Sequence, residues 1–293
     1  MSHTRGGEKV SKYLNVGVIQ MSVSRDKATN LKRIAEKVQS LMDSFQKPEC
    51  IVGVEGGIGL SSPETIPGPA TDFLCELAKL HGVYLVAGTM LETSDELQEG
   101  EYYHSAPVIN PNGEIIAVYR KLCPFTPMEA EVVPGKEYVV FDIAEKQAKV
   151  GVMIGYDMSF PEVSRNLTLS GAEILIRLAS DIDPLYELYK EFPIARASEN
   201  QVYFVSVNAI GHGAHGTAYG HSMIASPEAF KLWEAGSSES FCTLTLDLEL
   251  VKTCMEYGTY YKDQMINHLG HFNPPMPYAG RLSEAPLYKK QRT

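Results

Sequence analysis

The sequence predicts a layered α/β sandwich. Short apolar strand patterns alternate with amphipathic helical patterns, an order typical of helices packed on sheets. Composition is that of a globular chain, with 44% hydrophobic and 21% charged residues, and 293 residues suffice to bury a large core. We expect one domain over 1–293, with its core at about 14–250. The remainder, about 251–293, is expected to pack on the surface or on a partner subunit.

The elements of the first half follow from apolar periodicity. Strands are predicted at 14–20, 50–54, 83–90, 105–109 and 114–119. A first helix is predicted because apolar residues three and four apart form one stripe. The stripe contains Leu31, Ile34, Ala35, Val38, Leu41, Met42 and Phe45. A second helix at about 71–81 ends at Gly82, and Pro111-Asn112-Gly113 predicts a tight turn between strands.

The second half has a similar strand and helix rhythm, although no repeat of fixed period relates the two halves. Residues 149–162 predict a strand, a sharp turn at Gly155 and the start of a helix. The expected elements are a helix at 161–170 that ends before Gly171, a buried strand at 173–178, a longer helix at 185–199 and a strand at 201–208. The proline-rich stretch from Pro274 onward is expected to lie outside the sheets.

Charge and composition exclude several classes of function. A net charge of -10 without a long basic run disfavours binding to nucleic acid. Apolar stretches are too short to span a membrane, and the polar opening lacks the apolar core of a secretion signal. We therefore expect a soluble cytoplasmic protein. The five cysteines, at 50, 75, 123, 242 and 254, have no Cys-x-x-Cys spacing, which predicts reduced thiols without a zinc site.

Three separate segments carry candidate chemistry. Glu55 follows the apolar run 51–54, at the end of a predicted strand, where ligands commonly bind in α/β folds. Strand alternation places Tyr119 and Lys121 on one face. Gly155 occupies the turn between a strand and a helix, a position that often presents a nucleophile. Each residue alone would suit a solvated loop or surface, so their combination is what carries the prediction.

Together these segments resemble the nitrilase superfamily of carbon-nitrogen hydrolases, nearest to its aliphatic amidase and formamidase branch. The resemblance covers about 14–250 and follows the order of that family's Glu-Lys-Cys triad. It also includes the stretches 66–71 and 220–228. It implies a four-layer α-β-β-α sandwich that hydrolyses a small amide or nitrile without cofactor or metal. It further implies a homodimer or a larger even homo-oligomer.

The same resemblance implies roles for individual residues. Glu55 would be the general base, Lys121 the cation beside the developing oxyanion, and Glu129 the residue that positions the substrate amide. The backbone N–H of Tyr156 would join Lys121 in the oxyanion hole. The substrate and oxyanion residues are thus expected to be Tyr156, Phe160 and Asp181.

Gly155 departs from the family pattern, because it stands where the family has its nucleophilic cysteine. Glycine has no atom that can attack a carbonyl, so the implied thioester intermediate cannot form. Gly155 is either a substitution that inactivates an amidase or the natural residue of a member whose chemistry has changed. Two other functions stay open: a noncovalent hydratase or lyase that uses Glu55 and Lys121, and a non-catalytic small-molecule-binding protein.

Other reactive side chains are given simpler interpretations. Cys123, two residues after Lys121, could replace the missing nucleophile, but we expect a packed thiol. The histidines at 212, 215 and 221 lie in a glycine-rich stretch without carboxylates at ligand spacing. We expect a flexible loop near the pocket mouth there, and no metal site.

Overall fold

The computed structural model of the chain describes residues 12–213, 216–260, 262–272 and 285–289. One sheet contains β1 (Tyr13–Gln20), β2 (Cys50–Glu64), β3 (Tyr84–Glu92), β4 (Tyr103–Ile109), β5 (Ile115–Arg120) and β14 (Ser240–Asp247). A second sheet contains β6 (Val140–Ile143), β7 (Ala148–Ile154), β8 (Ile174–Ala179), β9 (Tyr203–Asn208), β12 (Met223–Ala225) and β13 (Lys231–Glu234). A hairpin comprises β10 (Ile210–Gly213) and β11 (Gly216–Tyr219).

The helices lie between and after these strands. They are α1 (Lys27–Met42), α2 (Pro69–His81), α3 (Pro161–Leu169), α4 (Tyr186–Tyr189), α5 (Phe192–Asn200), α6 (Leu248–Tyr257), α7 (Met265–Phe272) and α8 (Pro286–Lys289). Short 3-10 turns occupy Ala144–Lys146, Gly155–Ser159 and Asp183–Leu185. None of the described helices combines the length and hydrophobicity needed to cross a bilayer.

Both six-stranded sheets share one plan. Their strand orders are β14-β1-β2-β3-β4-β5 and β13-β12-β9-β8-β7-β6. In each sheet three adjacent strands are parallel, and the strands outside them are antiparallel. Parallel neighbours need crossover connections, which α1 and α2 supply in one sheet and α3 and α5 in the other. The sheets pack on each other through a shared apolar core, so the predicted four-layer α-β-β-α sandwich is confirmed.

The first helix shows where the apolar stripe ends. Asp26 caps α1 by accepting a hydrogen bond from the Thr29 N–H, and the buried face includes Ile34 and Val38. The prediction that Phe45 belongs to this stripe is wrong. The helix ends at Met42, the Ser44 hydroxyl bonds carbonyls on either side of the turn, and Phe45 is fully exposed.

Two other local predictions are wrong. The single helix expected at 185–199 is divided into α4 and α5, with Pro193 in the first turn of α5, where the missing N–H is tolerated. The stretch expected to be a flexible loop near 212 is the β10–β11 hairpin, and His212 bonds the Thr217 hydroxyl. His215 lies outside the described residues.

The strand predicted at 50–54 is too short, because β2 continues to Glu64, and the other predicted elements agree with the structure within a few residues. Gly82 has φ +64° after α2, and Gly113 has φ +80° in the turn between β4 and β5. Residues beyond 250 begin with the rest of α6, whose Val251 and Cys254 are buried. The stretch from Pro274 to position 284 lies outside the described residues.

Candidate active site

The turn at Gly155 joins β7 to α3. Gly155 has φ +47°, a left-handed conformation that is strained for residues with a side chain. The buried Asp157 carboxylate holds this turn by accepting the Ile154 N–H at 2.9 Å. It also accepts the Tyr119 hydroxyl at 2.6 Å and the Cys123 N–H at 2.8 Å. Asp157 thereby ties the turn to the end of β5, a role that its place in the sequence did not reveal.

The sequence analysis expected Glu55 to follow a strand, but Glu55 lies within β2. The pairing of β2 with β3 shifts register between Val54 and Gly59, and the strand then continues to Glu64. At this irregularity Gly56 has φ +72°, and its N–H donates to the Thr89 hydroxyl at 2.7 Å. The bulge therefore lets a long strand carry a carboxylate into the interface between the sheets.

The structure brings Glu55, Lys121 and Glu129 into one group, which we call the lysine cluster. Glu55 and Lys121 are buried, and Glu129 is half-buried. Lys121 Nζ donates to Glu55 Oε1 at 2.7 Å. It also donates to Glu129 Oε1 at 2.9 Å and to Glu129 Oε2 at 2.7 Å. The alternation expected along β5 is confirmed: Tyr119 and Lys121 are buried, whereas Arg120 pairs with Glu92 on the other side.

Charge in the lysine cluster is set by proximity. Burial alone would lower the pKa of Lys121, but the charges of Glu55 and Glu129 outweigh burial and raise it. Burial likewise opposes ionisation of Glu129, yet the hydrogen bond from His104 and the charge of Lys121 lower the pKa of this carboxyl. At neutral pH Lys121 is thus an ammonium beside an ionised Glu129.

His104 is a member of this site that the sequence analysis missed. Its ring is buried between the Thr89 hydroxyl, at 2.6 Å from Nε2, and Glu129 Oε1, at 2.9 Å from Nδ1. It lies in β4, and its carbonyl accepts the Lys121 N–H across the hairpin at 2.9 Å. Because β4–β5 pairing creates this proximity, a single histidine in the sequence carried no signal of it.

The donor atoms of Glu55, His104 and Glu129 all lie within 4.8 Å of one another, a grouping able to hold a metal ion. The Lys121 ammonium contacts both of these carboxylates and supplies their counter-charge. In the lysine cluster the positive charge beside the two carboxylates is therefore supplied by the Lys121 side chain.

A second buried charge pair lies on the other side of Gly155, and we call Arg177 and Asp181 the arginine cluster. Arg177 donates through Nε to the Gly155 carbonyl at 2.8 Å and through Nη2 to Asp181 Oδ1 at 2.7 Å. Asp181 also accepts the Tyr219 hydroxyl at 3.2 Å. Both members line a small cavity whose wall includes Tyr186 and His221.

This placement bears on the earlier expectation for Asp181. Asp181 does line a cavity, but its carboxylate is engaged by Arg177, a residue that the sequence analysis did not select. A usable signal existed, because an arginine inside the apolar run 174–178 is seldom buried without a partner.

Aromatic side chains pack beside the turn. Tyr156 lies between Phe125, with ring centroids 4.8 Å apart, and Phe160, at 5.1 Å. The Phe125 N–H donates to Glu129 Oε2 at 2.6 Å, so this aromatic group adjoins the lysine cluster. Tyr156 and Phe160 thus belong to an aromatic group beside the lysine cluster.

Cys123 is poorly suited to act as a nucleophile. Burial, followed by the charge of Asp157, raises the pKa of its thiol to about 12. A thiolate is the reactive form of cysteine. Cys123 is therefore overwhelmingly protonated at neutral pH.

The Glu55 carboxylate occupies the space next to Gly155 that a side chain at position 155 would enter. A Cβ built on Gly155 would lie 2.5 Å from Glu55 Oε2 and 2.8 Å from Glu55 Oε1. Glu55 Oε2 is held in this place by the Ser180 N–H at 3.0 Å. A side chain at position 155 would thus be directed at the carboxylate that is bonded to Lys121.

Both the sequence and the fold of this chain are similar to those of known proteins. Residues 15–255 match the carbon-nitrogen hydrolase family. The chain is 30% identical over 247 residues to an (R)-stereoselective amidase of Pseudomonas sp, covering 82% of this chain and 87% of the relative. It is 32% identical over 259 residues to the omega-amidase NIT2 of Danio rerio, covering 82% and 90%.

Among solved structures, Nit3 of Saccharomyces cerevisiae, a member of branch 10 of the nitrilase superfamily, superposes with a TM-score of 0.77. The two chains are 26% identical, and the match covers 86% of this chain and 96% of Nit3. The sequence match and the shared sandwich lead to one conclusion: the chain belongs to the carbon-nitrogen hydrolase family of the nitrilase superfamily, whose enzymes hydrolyse carbon-nitrogen bonds such as those of amides.

Proposed function

We propose that this chain has the site of a thiol amidase for small amides or nitriles, with position 155 as the nucleophile position. Glycine at that position leaves a pocket that binds the substrate without efficient turnover. The observation that carries the proposal is the direction of a side chain at 155, whose Cβ would meet the Glu55 carboxylate. A thiol on that Cβ would lie within reach of a base already bonded to Lys121.

The chemistry follows from this arrangement. With cysteine at position 155, Glu55 would take the thiol proton while sulfur attacks the carbonyl carbon. Lys121 and the Tyr156 N–H would stabilise the oxyanion. Its collapse would break the C–N bond, and ammonia would leave with the proton from Glu55. Water, deprotonated by Glu55, would then attack the thioester, release the carboxylate and regenerate the thiol.

We propose a role for Glu129 that differs from the one that the resemblance implies. Both its oxygens accept hydrogen bonds from Lys121, and the His104 ring and the Phe125 N–H take up further lone pairs. These contacts support a role in anchoring the ammonium. We therefore assign Glu129 to hold Lys121 and not to contact the substrate amide.

The test compares the chain as given with Gly155→Cys and Gly155→Ala on a panel of short aliphatic amides and nitriles. We expect Gly155→Cys to raise ammonia release by at least about a thousandfold, because it restores covalent catalysis. Gly155→Ala is the matched control, since it adds the Cβ without the thiol. In both variants Glu55 must move by roughly 1 Å to restore ordinary contact.

The outcomes separate the rival functions. Turnover by the glycine chain that is unaffected by thiol alkylation would replace this proposal with noncovalent acid-base chemistry by Glu55 and Lys121. Binding of the amides by a folded Gly155→Cys protein without turnover would instead favour a non-catalytic small-molecule-binding member.

We further propose that the chain acts as one domain in the cytoplasm and assembles as a homodimer or larger even homo-oligomer. Support comes from the family resemblance. A monomer by light scattering at micromolar concentration would contradict the assembly.

A further inference from the structure

His104 joins the lysine cluster to the framework of the first sheet. Its Nδ1 lies 2.9 Å from Glu129 Oε1 and 3.7 Å from Glu55 Oε1, and its Nε2 lies 2.6 Å from the Thr89 hydroxyl. Thr89 in turn accepts the N–H of Gly56, the residue next to Glu55 at the bulge of β2. One ring thus connects three neighbouring strands at the point where the carboxylates enter the site.

Donor and acceptor counting assigns the protons of this chain of hydrogen bonds. Glu129 is ionised and accepts only, so His104 Nδ1 must carry the hydrogen that lies between them. The Thr89 oxygen already accepts the Gly56 N–H, and its hydroxyl hydrogen can be donated to an unprotonated Nε2. A hydrogen on Nδ1 directed at Glu129, together with a Thr89 hydroxyl directed at Nε2, therefore satisfies every group in this chain of hydrogen bonds.

We propose that His104 is a positioning residue that orients Glu129 and, through Glu129, the ammonium of Lys121. The Glu129 side chain has three rotatable bonds, and the hydrogen bond from His104 selects the rotamer that places both of its oxygens on Lys121. This inference deepens the proposed function, on which its kinetic test rests. It makes the reactive group a set of four residues.

The kinetic test uses the Gly155→Cys background. His104→Leu removes the donor to Glu129, and we expect kcat to fall by about a hundredfold, the scale of a misplaced catalytic group, with little change in KM. His104→Asn keeps an N–H near the place of Nδ1 and should retain kcat within about tenfold. A merely structural role predicts instead that both variants lose thermal stability and activity together.

Thr89 offers a second matched pair. Thr89→Ser keeps the hydroxyl that accepts from Gly56 and donates to His104, whereas Thr89→Val has a similar shape without it. We expect Thr89→Val to lower kcat and Thr89→Ser to preserve it. Equal activity of the two variants would show that the orientation of the ring does not matter.

A readout independent of turnover keeps this inference separate from the proposed function. The rate at which iodoacetamide alkylates the thiol introduced by Gly155→Cys, followed against pH, reports the charges around it, and the glycine chain gives the background from the other cysteines. Misplacement of Lys121 by His104→Leu should move the midpoint upward by about one pH unit, because a nearby cation favours the thiolate. His104→Asn should leave the midpoint in place.

The outcomes are distinguishable. If Gly155→Cys hydrolyses none of the panel but the midpoint moves as expected, the proposed function fails and the positioning role stands. If folded His104→Leu has the same midpoint and kcat as the unsubstituted histidine form, the positioning role is overturned.

Discussion

The two charged clusters that flank Gly155 differ in their balance of positive and negative groups. The lysine cluster has two carboxylates around one ammonium, whereas the arginine cluster pairs one guanidinium with one carboxylate. Glu55, Lys121, Arg177 and Asp181 are buried, whereas Glu129 is half-buried. Glu55 of the lysine cluster fills the side-chain position of residue 155, while Arg177 of the arginine cluster holds its backbone carbonyl.

This difference indicates which cluster does chemistry. A matched buried pair is electrically neutral and serves to fix geometry, here the backbone of the turn. An unmatched carboxylate next to an ammonium has a lone pair that can take and return a proton. Under the proposed function the lysine cluster would supply the reactive groups, and the arginine cluster would hold the position on which they act.

Removing the lysine should have the largest effect. Lys121→Met leaves two carboxylates in a buried site without their counter-charge, and we expect a loss of about 3–5 kcal/mol in the free energy of unfolding. In the Gly155→Cys background, amide hydrolysis should fall by at least about a thousandfold. Urea unfolding and ammonia release measure the two effects.

The control for this change is Lys149→Met, which breaks an ion pair with Asp142 whose side chains are 46% and 65% exposed. It should change stability by less than about 0.5 kcal/mol. A similar loss for both lysines would mean that the unmatched charge of the lysine cluster has no special energetic role.

In the arginine cluster, unlike the lysine cluster, a second substitution should restore part of the stability that the first one removes. Arg177→Met alone leaves Asp181 buried without its partner and should destabilise the fold by about 3 kcal/mol. Adding Asp181→Asn removes the unpaired charge, and we expect it to return about half of that loss. A double-mutant cycle by urea unfolding measures the coupling, and strictly additive losses would contradict the assignment as a neutral pair.

The smallest effect concerns pH. The pKa of Glu129 is lower in the folded chain than its ordinary value of 4.5, so ionised Glu129 stabilises the fold above that pH. This contribution is lost as pH falls below 4.5 toward the folded pKa. The glutamine of Glu129→Gln cannot titrate. Below pH 4.5 the free energy of unfolding of this variant should therefore fall less steeply than that of the chain with Glu129, by up to about 1.4 kcal/mol per pH unit. Parallel stability curves would show that Glu129 does not link folding to pH.

Predictions from sequence were good where the cause was local or carried in the strand order. Alternation along β5 placed Tyr119 and Lys121 on one face, and the order of Glu55, Lys121 and Gly155 in three segments indicated the family. They were poor where side-chain hydrogen bonds, and not apolar spacing, decided where an element ends. Phe45 has the spacing of the α1 stripe, but side-chain bonds of Ser44 end the stripe before it.

The sequence by itself determined the layered α/β architecture, the family and the absence of a thiol at position 155, because periodicity and residue identity are properties of the linear chain. Only the tertiary structure decided that His104 bonds Glu129, that Arg177 holds the Gly155 carbonyl, and that Glu55 fills the place of the missing side chain. These contacts join residues 22 to 100 positions apart, and strand pairing and sheet packing, which set them, follow from the burial of the whole core.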